Sequence, residues 1–238
     1  MTDVSKSPRK IASMFDAIAA RYDVLNHLLS AGIDKRWRAR AIRSLRLTGR
    51  ERLLDVCTGT ADVAIAARTA APAAARVVGV DFADAMLRVG VRKLRDRALD
   101  GVALVRADAS RLPIADRSVD AVTIAFGIRN VDDRAAACRE MHRVLAPGGR
   151  LAVLEFATPR APLFGALYTW YSTRILPRIG RAISGHEAAY DYLPASVAAF
   201  SSPDEFMKLL RQCGFVDVTA VPLTLGVVFL YVGSRPAS

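Results

Sequence analysis

Residues 53–67, "LLDVCTGTADVAIAA", decide the fold. The stretch opens on an apolar run with no clean alternation, the mark of a strand buried on both faces. From Asp62 onward its apolar residues recur at helical spacing. A tight loop, 57–62, joins the two. A strand, a loop and a helix in that order begin a βαβ unit. In a doubly wound sheet such a loop sits at the carboxyl ends of the strands, where ligands bind. A dinucleotide loop carries G-x-G-x-x-G, so that a pyrophosphate rests on the helix N-terminus. Here Gly59 stands without the other two glycines, for Ala61 follows Thr60 and no third glycine comes. The loop disfavours a dinucleotide. It admits a ligand that approaches the backbone closely at Gly59.

The same alternation continues downstream. Residues 52–57, 76–81, 102–106, 119–125 and 150–156 read as strands. Helices are expected through Arg68, over 84–97 with Asp84 as N-cap, and over 133–145, where Pro147-Gly148-Gly149 stops the chain. Apolar strands separated by helices give a parallel sheet covered on both faces, and right-handed crossovers make it a doubly wound α/β fold. The ends differ. Residues 9–48 read as two helices and 158–195 as helical. Residues 203–213 form a further helix, and 215–221 with 224–232 an antiparallel pair joined across Pro222-Leu223. We expect one domain in four parts: an N-terminal helical cover (1–48), a cofactor-binding core (49–157), an aromatic substrate cover (158–202) and the last helix and strands (203–238).

Two carboxylates narrow the ligand. Asp81 ends the second strand, where it can accept from both hydroxyls of a ribose. Asp108 follows the third strand and can accept from an adenine amino group, while the Ala109 N–H donates to the ring. S-adenosylmethionine meets these demands without a pyrophosphate cradle. Its amino-acid end would lie on Thr58 to Thr60, its ribose on Asp81 and its adenine near Phe82 and Asp108.

Composition bounds the rest. The chain has 238 residues, 34 Lys and Arg against 23 Asp and Glu, a net charge of +11 and a pI near 10.2. A nucleic acid, an anionic membrane surface or an acidic substrate would suit that charge, as would arginines spread over solvated helix faces. No run of apolar residues is long enough to span a bilayer, and the N-terminus lacks a signal-peptide core. Cys57, Cys138 and Cys213 form no CxxC pair, so neither a disulfide frame nor a zinc site is expected and the compartment reads as cytoplasmic.

Several segments are similar to one family. "MFDAIAARYDVLNHLLSAG", "LDVCTGTAD", "GVDFADAML", "ADASRLPIADRSVDAVTIAFGIRNVDD", "EMHRVLAPGGRLAVLEF" and "YDYLPASV" resemble the C-methyltransferases of ubiquinone and menaquinone biosynthesis. The resemblance runs from Met14 to Gly233, and "FGIRN" with the N-terminal signature is much more specific than the glycine loop. It implies a class I, Rossmann-like methyltransferase with a seven-stranded sheet whose last strand is antiparallel, and S-adenosylmethionine as cofactor. The implied reaction methylates a ring carbon of a polyprenylated quinol, either demethylmenaquinol or 2-polyprenyl-6-methoxy-1,4-benzoquinol. The implied cofactor contacts fall on Thr58, Asp81, Asp108 and Ala109. The chain departs from the pattern at Thr58, at Ala61 and at Ala125, which takes the place of a cofactor-touching serine. Ala61 is expected in helical φ/ψ, which needs no glycine.

Methyl transfer from a sulfonium needs an acceptor carbon held in line, water excluded and a hydroxyl deprotonated. Phe126 to Asn130 follow the fourth strand, beside the expected methyl. Arg129 stays charged, so it is no base. It would stabilise a developing quinolate or orient a water, or else pair with Asp132 or Asp133 and tie the loop. Asn130 would hold a ring oxygen. His27 and His186 are candidate bases, and His142 is expected to face solvent. Tyr22, Tyr190 and Tyr192 would line the quinol pocket or complete a small core. The segment 160–186 mixes aromatic and aliphatic residues with Arg174, Arg178 and Arg181, and can rest on anionic headgroups. A homodimer is compatible with the sequence. Competing readings are a methyltransferase for a sterol, tocopherol-like or other small aromatic acceptor, a nucleic-acid-binding protein or RNA methyltransferase, and a dehydrogenase. No appended RNA-binding module and no N-P-P-Y or D-P-P-Y motif supports the second.

Overall fold

The computed structural model describes residues 8–30, 32–70, 76–159, 165, 174 and 187–238. Helices α1 (Pro8–Leu29) and α2 (Ile33–Ser44) precede β1 (Arg52–Val56). Then come α3 (Asp62–Ala70), β2 (Arg76–Asp81), α4 (Asp84–Asp96), β3 (Val102–Arg106), β4 (Val119–Ala125), α5 (Arg134–Val144) and β5 (Leu145–Phe156). The chain closes with α6 (Glu187–Ala198), α7 (Pro203–Gln212), β6 (Val216–Leu223) and β7 (Val228–Ser234). The strands form one seven-stranded sheet in the order β3-β2-β1-β4-β5-β7-β6. β1 to β5 pair in parallel, and β7 runs antiparallel to both β5 and β6. This is the doubly wound sheet expected, with its last strand reversed.

Strand alternation divides the core between the two faces. Leu54, Val56, Val122 and Ile124 point toward a cluster holding Met141, Phe206 and Tyr231. Leu53, Ala121 and Leu154 point toward Trp37, Ile42, Ala64 and Ala67. The strand order reverses between β1 and β4. The loops that follow these two strands are therefore neighbours at the carboxyl edge, the place where ligands bind in such sheets.

Local chemistry sets the ends of the elements. Ser202 and Glu205 form a capping box at α7, with Pro203 in the first turn. The Asp133 carboxylate accepts from the Ala136 N–H at 2.8 Å to cap α5. Asp84 is not the N-cap of α4. Ala83 holds that place without a side-chain bond, and Asp84 begins the first turn. Pro147-Gly148-Gly149 does not end α5 either. The helix stops at Val144, and Leu145 is already extended at φ −65° and ψ 135°. The Pro-Gly-Gly step is a bulge inside β5, seen as a register shift between Val119↔Leu145 and Ala121↔Arg150. Pro222 lies within β6 instead of forming the hairpin turn, which edge strands tolerate because one side of the backbone needs no partner. The turn is Thr224–Gly226, where Thr224 and Leu225 have φ of 46° and 55°.

Helix α1 lies over α4. Ile18 and Ala19 bury against Ala83 and Met86. The Ala85 N–H donates to Asp16 Oδ1 at 2.8 Å, and Lys93 Nζ donates to Asp23 Oδ2 at 2.7 Å. Among the described residues no helix is long and apolar enough to cross a membrane.

Candidate functional site

A cleft runs along the carboxyl edge of the sheet beneath α1. Its floor is built by the ends of β1, β2, β3 and β4, and its roof by Ile11, Ala12, Phe15 and Tyr22 of α1.

The β1 loop is held from two sides. The Thr58 N–H donates to the Val80 carbonyl at 2.9 Å, and the Gly59 N–H donates to Asp81 Oδ2 at 2.8 Å. Gly59 has φ +55°, and a Cβ there would meet nothing within 4 Å, so its α-carbon faces open space. Beneath the loop lies Asp55, 1% exposed, which accepts from Thr58 Oγ1 at 2.6 Å and Thr123 Oγ1 at 2.7 Å. Burial pushes the Asp55 carboxyl up to about 6 against the two threonine hydrogen bonds. Ala61 differs from expectation. Its φ is +67°, left-handed rather than helical. The chain turns here, with the Ala61 N–H donating to the Thr58 carbonyl at 2.9 Å and the Ala61 carbonyl accepting from Ile65, so the residue opens α3. The buried methyl fits because Gly90 offers no Cβ; one added there would lie 3.1 Å away.

Asp81 faces the cleft. Its Oδ1 accepts from the Ala83 N–H at 2.8 Å, and Oδ2 is bound to Gly59. Burial raises its pKa, and these backbone donors pull against that rise. Each oxygen keeps a second lone pair for a ligand. Asp108 also lines the cleft. Its Oδ1 accepts from the Ser110 N–H and hydroxyl at 2.8 and 2.6 Å, and Oδ2 has no hydrogen-bond partner among the described residues. Phe82, Ala109 and Ala125 complete this end, with the Arg106 guanidinium 5.6 Å from the centre of the Phe82 ring. Two carboxylates with spare lone pairs, a bare glycine α-carbon and an apolar wall fit a nucleoside that carries an amino acid.

The other end of the cleft is formed by Phe126, Gly127, Asn130 and Asp132. Tyr192 Oη donates to Asn130 Oδ1 at 3.0 Å. Burial raises the phenol pKa of both Tyr22 and Tyr192, and the charge of Arg129 opposes the rise in each.

Three expected residues do not line the cleft, and one of them, Tyr192, reaches it only through its hydrogen bond to Asn130. The Thr58 side chain does not line the cleft, because its hydroxyl is turned to Asp55. Arg129 is 4% exposed and does not line the cleft. It pairs neither with Asp132 nor with Asp133 but with Glu155, 0% exposed, at 2.7 Å. His142 is half-buried and not solvent-facing, with its ring edge-on to Phe215 at 5.2 Å. The side chains of His27 and Tyr190, His186, and the basic aromatic segment 160–186 lie outside the described side chains, apart from Gly165 and Arg174.

Sequence reasoning missed Glu155 and the anchors of α1, and it named Asp132 only as a partner for Arg129, whereas Asp132 lines the cleft. Asp16 and Asp23 are seven residues apart, so a helical reading of 9–48 puts them on one face, the available signal for a docked helix. Thr60 Oγ1 donates to Asp23 Oδ1 at 2.5 Å, and Lys93 binds both Asp23 and Asp62.

Known proteins match this arrangement along nearly the whole chain. A ubiquinone/menaquinone biosynthesis C-methyltransferase of Syntrophotalea carbinolica is 52% identical over 222 residues, 93% of this chain and 92% of its own. A demethylmenaquinone methyltransferase of Thermus thermophilus is 48% identical over 223 residues, 94% of this chain and 100% of its own. The crystal structure of an S-adenosylmethionine-dependent methyltransferase of Thermotoga maritima, described as a possible histamine N-methyltransferase, shares the fold with a TM-score of 0.65 at 18% identity. It covers 94% of this chain and 99% of its own. With residues 1–235 matched by the family model, this chain belongs to the ubiE/COQ5 methyltransferase family.

Proposed function

We propose that this methyltransferase moves a methyl group from S-adenosylmethionine to a ring carbon of a polyprenylated quinol, with demethylmenaquinol as the acceptor. The observation that carries this reading is the continuity of the cleft, from the carboxylates of Asp81 and Asp108 to the aromatic and amide groups of Phe126 and Asn130. The names of the relatives support the acceptor class. Since one of those names joins two quinones, 2-polyprenyl-6-methoxy-1,4-benzoquinol is the second reading.

Asp81 would accept from the ribose hydroxyls. Asp108 and the Ala109 N–H would hold the adenine beside Phe82, with Ala125 at the turn toward the acceptor. The backbone of Thr58, Gly59 and Thr60 would take the amino-acid end. When bound, the cofactor supplies a methyl already activated on a sulfonium.

The chain's own groups do the rest. Asn130, fixed by Tyr192, would hold a quinol oxygen, and Tyr22 would close the pocket from α1. With His186 and Tyr190 from the cover they would exclude water. A phenol-like hydroxyl has a pKa near 10, so its loss near neutral pH needs a positive field. Arg129 would lend part of that charge from behind the wall, the rest being offset by its partner Glu155, while a water or a histidine takes the proton.

The prenyl tail places the substrate in a bilayer, so contact with an anionic membrane surface belongs to the same reading, as does work at the inner face of the cell membrane from the cytoplasm. A homodimer is compatible with it, and no nucleic acid is required. The test supplies methyl-labelled cofactor with each quinol in turn. Label in menaquinol supports the reading, label in the benzoquinol alone favours the second, and label in neither refutes both.

A further inference from the structure

Phe126 has φ +59°, a left-handed backbone that bulky residues adopt only when their surroundings force it, and it lines the cleft. The forcing group is buried. Arg129 Nη1 donates to the Phe126 carbonyl and to Glu155 Oε1, and the Arg129 N–H donates to Glu155 Oε2 at 3.1 Å. The Phe156 N–H also donates to Glu155 Oε1, at 2.8 Å. The guanidinium lies 5.5 Å from the centre of the Phe156 ring, which in turn lies 4.5 Å from that of Phe126. Arg129 Nε donates to Ser196 Oγ of α6 at 3.3 Å, so the pair also touches the helix that carries Tyr192.

A buried ion pair is a poor source of stability, because the desolvation of both ions offsets their attraction. An apolar pair of the same volume would fill the space at least as well. What an apolar pair lacks is the charged donor that holds the Phe126 carbonyl, beside the Asn130 Nδ2 that reaches it at 3.4 Å, and an acceptor for the Arg129 and Phe156 N–H groups. We propose that Glu155, acting through Arg129, is a positioning residue that fixes the Phe126 ring and the Asn130 amide at the acceptor end of the cleft. The assignment rests on the acceptor reading of that end. It makes Arg129 a support of the wall rather than a group that touches the quinol.

The test replaces the pair with Arg129→Met and Glu155→Leu together, because Glu155→Gln alone strands a buried cation and risks misfolding. Cofactor affinity, turnover and Trp37 emission are measured, the last in a Trp170→Phe background. Trp37 reports on the wall because its ring centroid lies 6.1 Å from that of Phe126. The double variant should fold, bind cofactor within about 3-fold of the parent and lose turnover by about 100-fold, the size of effect that a small misplacement of reacting groups produces. Trp37 emission should change as well. Parental turnover in the folded double variant overturns the proposal. So does a loss of turnover that only parallels the fraction of unfolded protein. If the parent itself methylates no quinol, the functional reading fails, while unchanged Trp37 emission in the double variant would separately overturn the positioning role.

Discussion

The Gly59 N–H donates to the Asp81 carboxylate across 2.8 Å, so the loop after β1 and the end of β2 are shaped as one surface. Asp81→Asn keeps the size of the group but brings an amide NH₂ against either Gly59 or Ala83, both donors. One N–H then loses its acceptor, and the ribose loses a charged one. Hydrogen bonds to charged groups contribute about 1.5–3 kcal/mol, so cofactor affinity should fall about 10- to 100-fold. Isothermal titration checks it, and unchanged affinity would refute the ribose role.

Asp55 links loop stability to pH. Its folded pKa of about 6 lies above the ordinary 3.8. The folded state thus binds the proton more tightly than the unfolded chain. The resulting stabilisation is complete below about pH 4 and is lost as pH rises through about 6. At about 1.36 kcal/mol per unit, the loss is of order 3 kcal/mol. Asp55→Asn removes the ionisation, and either threonine hydroxyl can turn to accept from the new amide. Urea unfolding of both proteins from pH 4 to 7 should show the variant gaining on the parent by up to that amount. A pH-independent difference between them would remove Asp55 as the cause.

The loops after β1 and β4 interlock at Cys57 and Gly127. A Cβ on Gly127 would lie 2.4 Å from Cys57 Cβ. Gly127→Ala should therefore destabilise the protein by about 2 kcal/mol or more, as overpacking does. Cys57 has φ +53°, where glycine is at ease, so Cys57→Gly both removes the obstructing atom and suits the backbone. The double variant should recover most of the loss. A thermodynamic cycle from thermal unfolding gives the coupling, and additive effects would disprove the contact.

The sequence and the geometry agree where a local signal suffices. Residues 53–67 show their strand, loop and helix by periodicity, and Asp81 shows its place because a strand ends on it at the switch point. Glu155 is different. In "RLAVLEF" it reads as a charge at a strand end, and only the pairing of β5 with β4 brings it under Arg129, 26 residues away. Ala61 was legible as the missing glycine but not as a left-handed residue, because the room for its methyl comes from Gly90 on α4. The Pro-Gly-Gly step shows the same limit. It marks a break in local structure, and only the register between β4 and β5 decides that the break is a bulge.

The last prediction concerns the roof. Asp23 takes Thr60 Oγ1 at 2.5 Å and Lys93 Nζ at 2.7 Å, so α1 is fastened to the end of the glycine loop and to α4. Asp16, seven residues earlier, takes the Ala85 N–H at 2.8 Å. The side chains of Lys93 and Asp23 are 16% and 25% exposed, so salt screens their attraction only in part. Asp23→Asn keeps one acceptor for Thr60 and removes the charge facing Lys93, which retains Asp62. Because Lys93 is not stranded, global stability should change by less than about 1 kcal/mol, as for partly exposed pairs. The opening of α1 should change far more, since the roof has a small apolar contact around Ile18 and Ala19. Amide exchange should rise across α1 while the strands keep their protection, and cofactor release in stopped flow should quicken about 3- to 10-fold. Unchanged exchange in α1 together with an unchanged release rate would show that Asp23 does not hold the roof over the cleft.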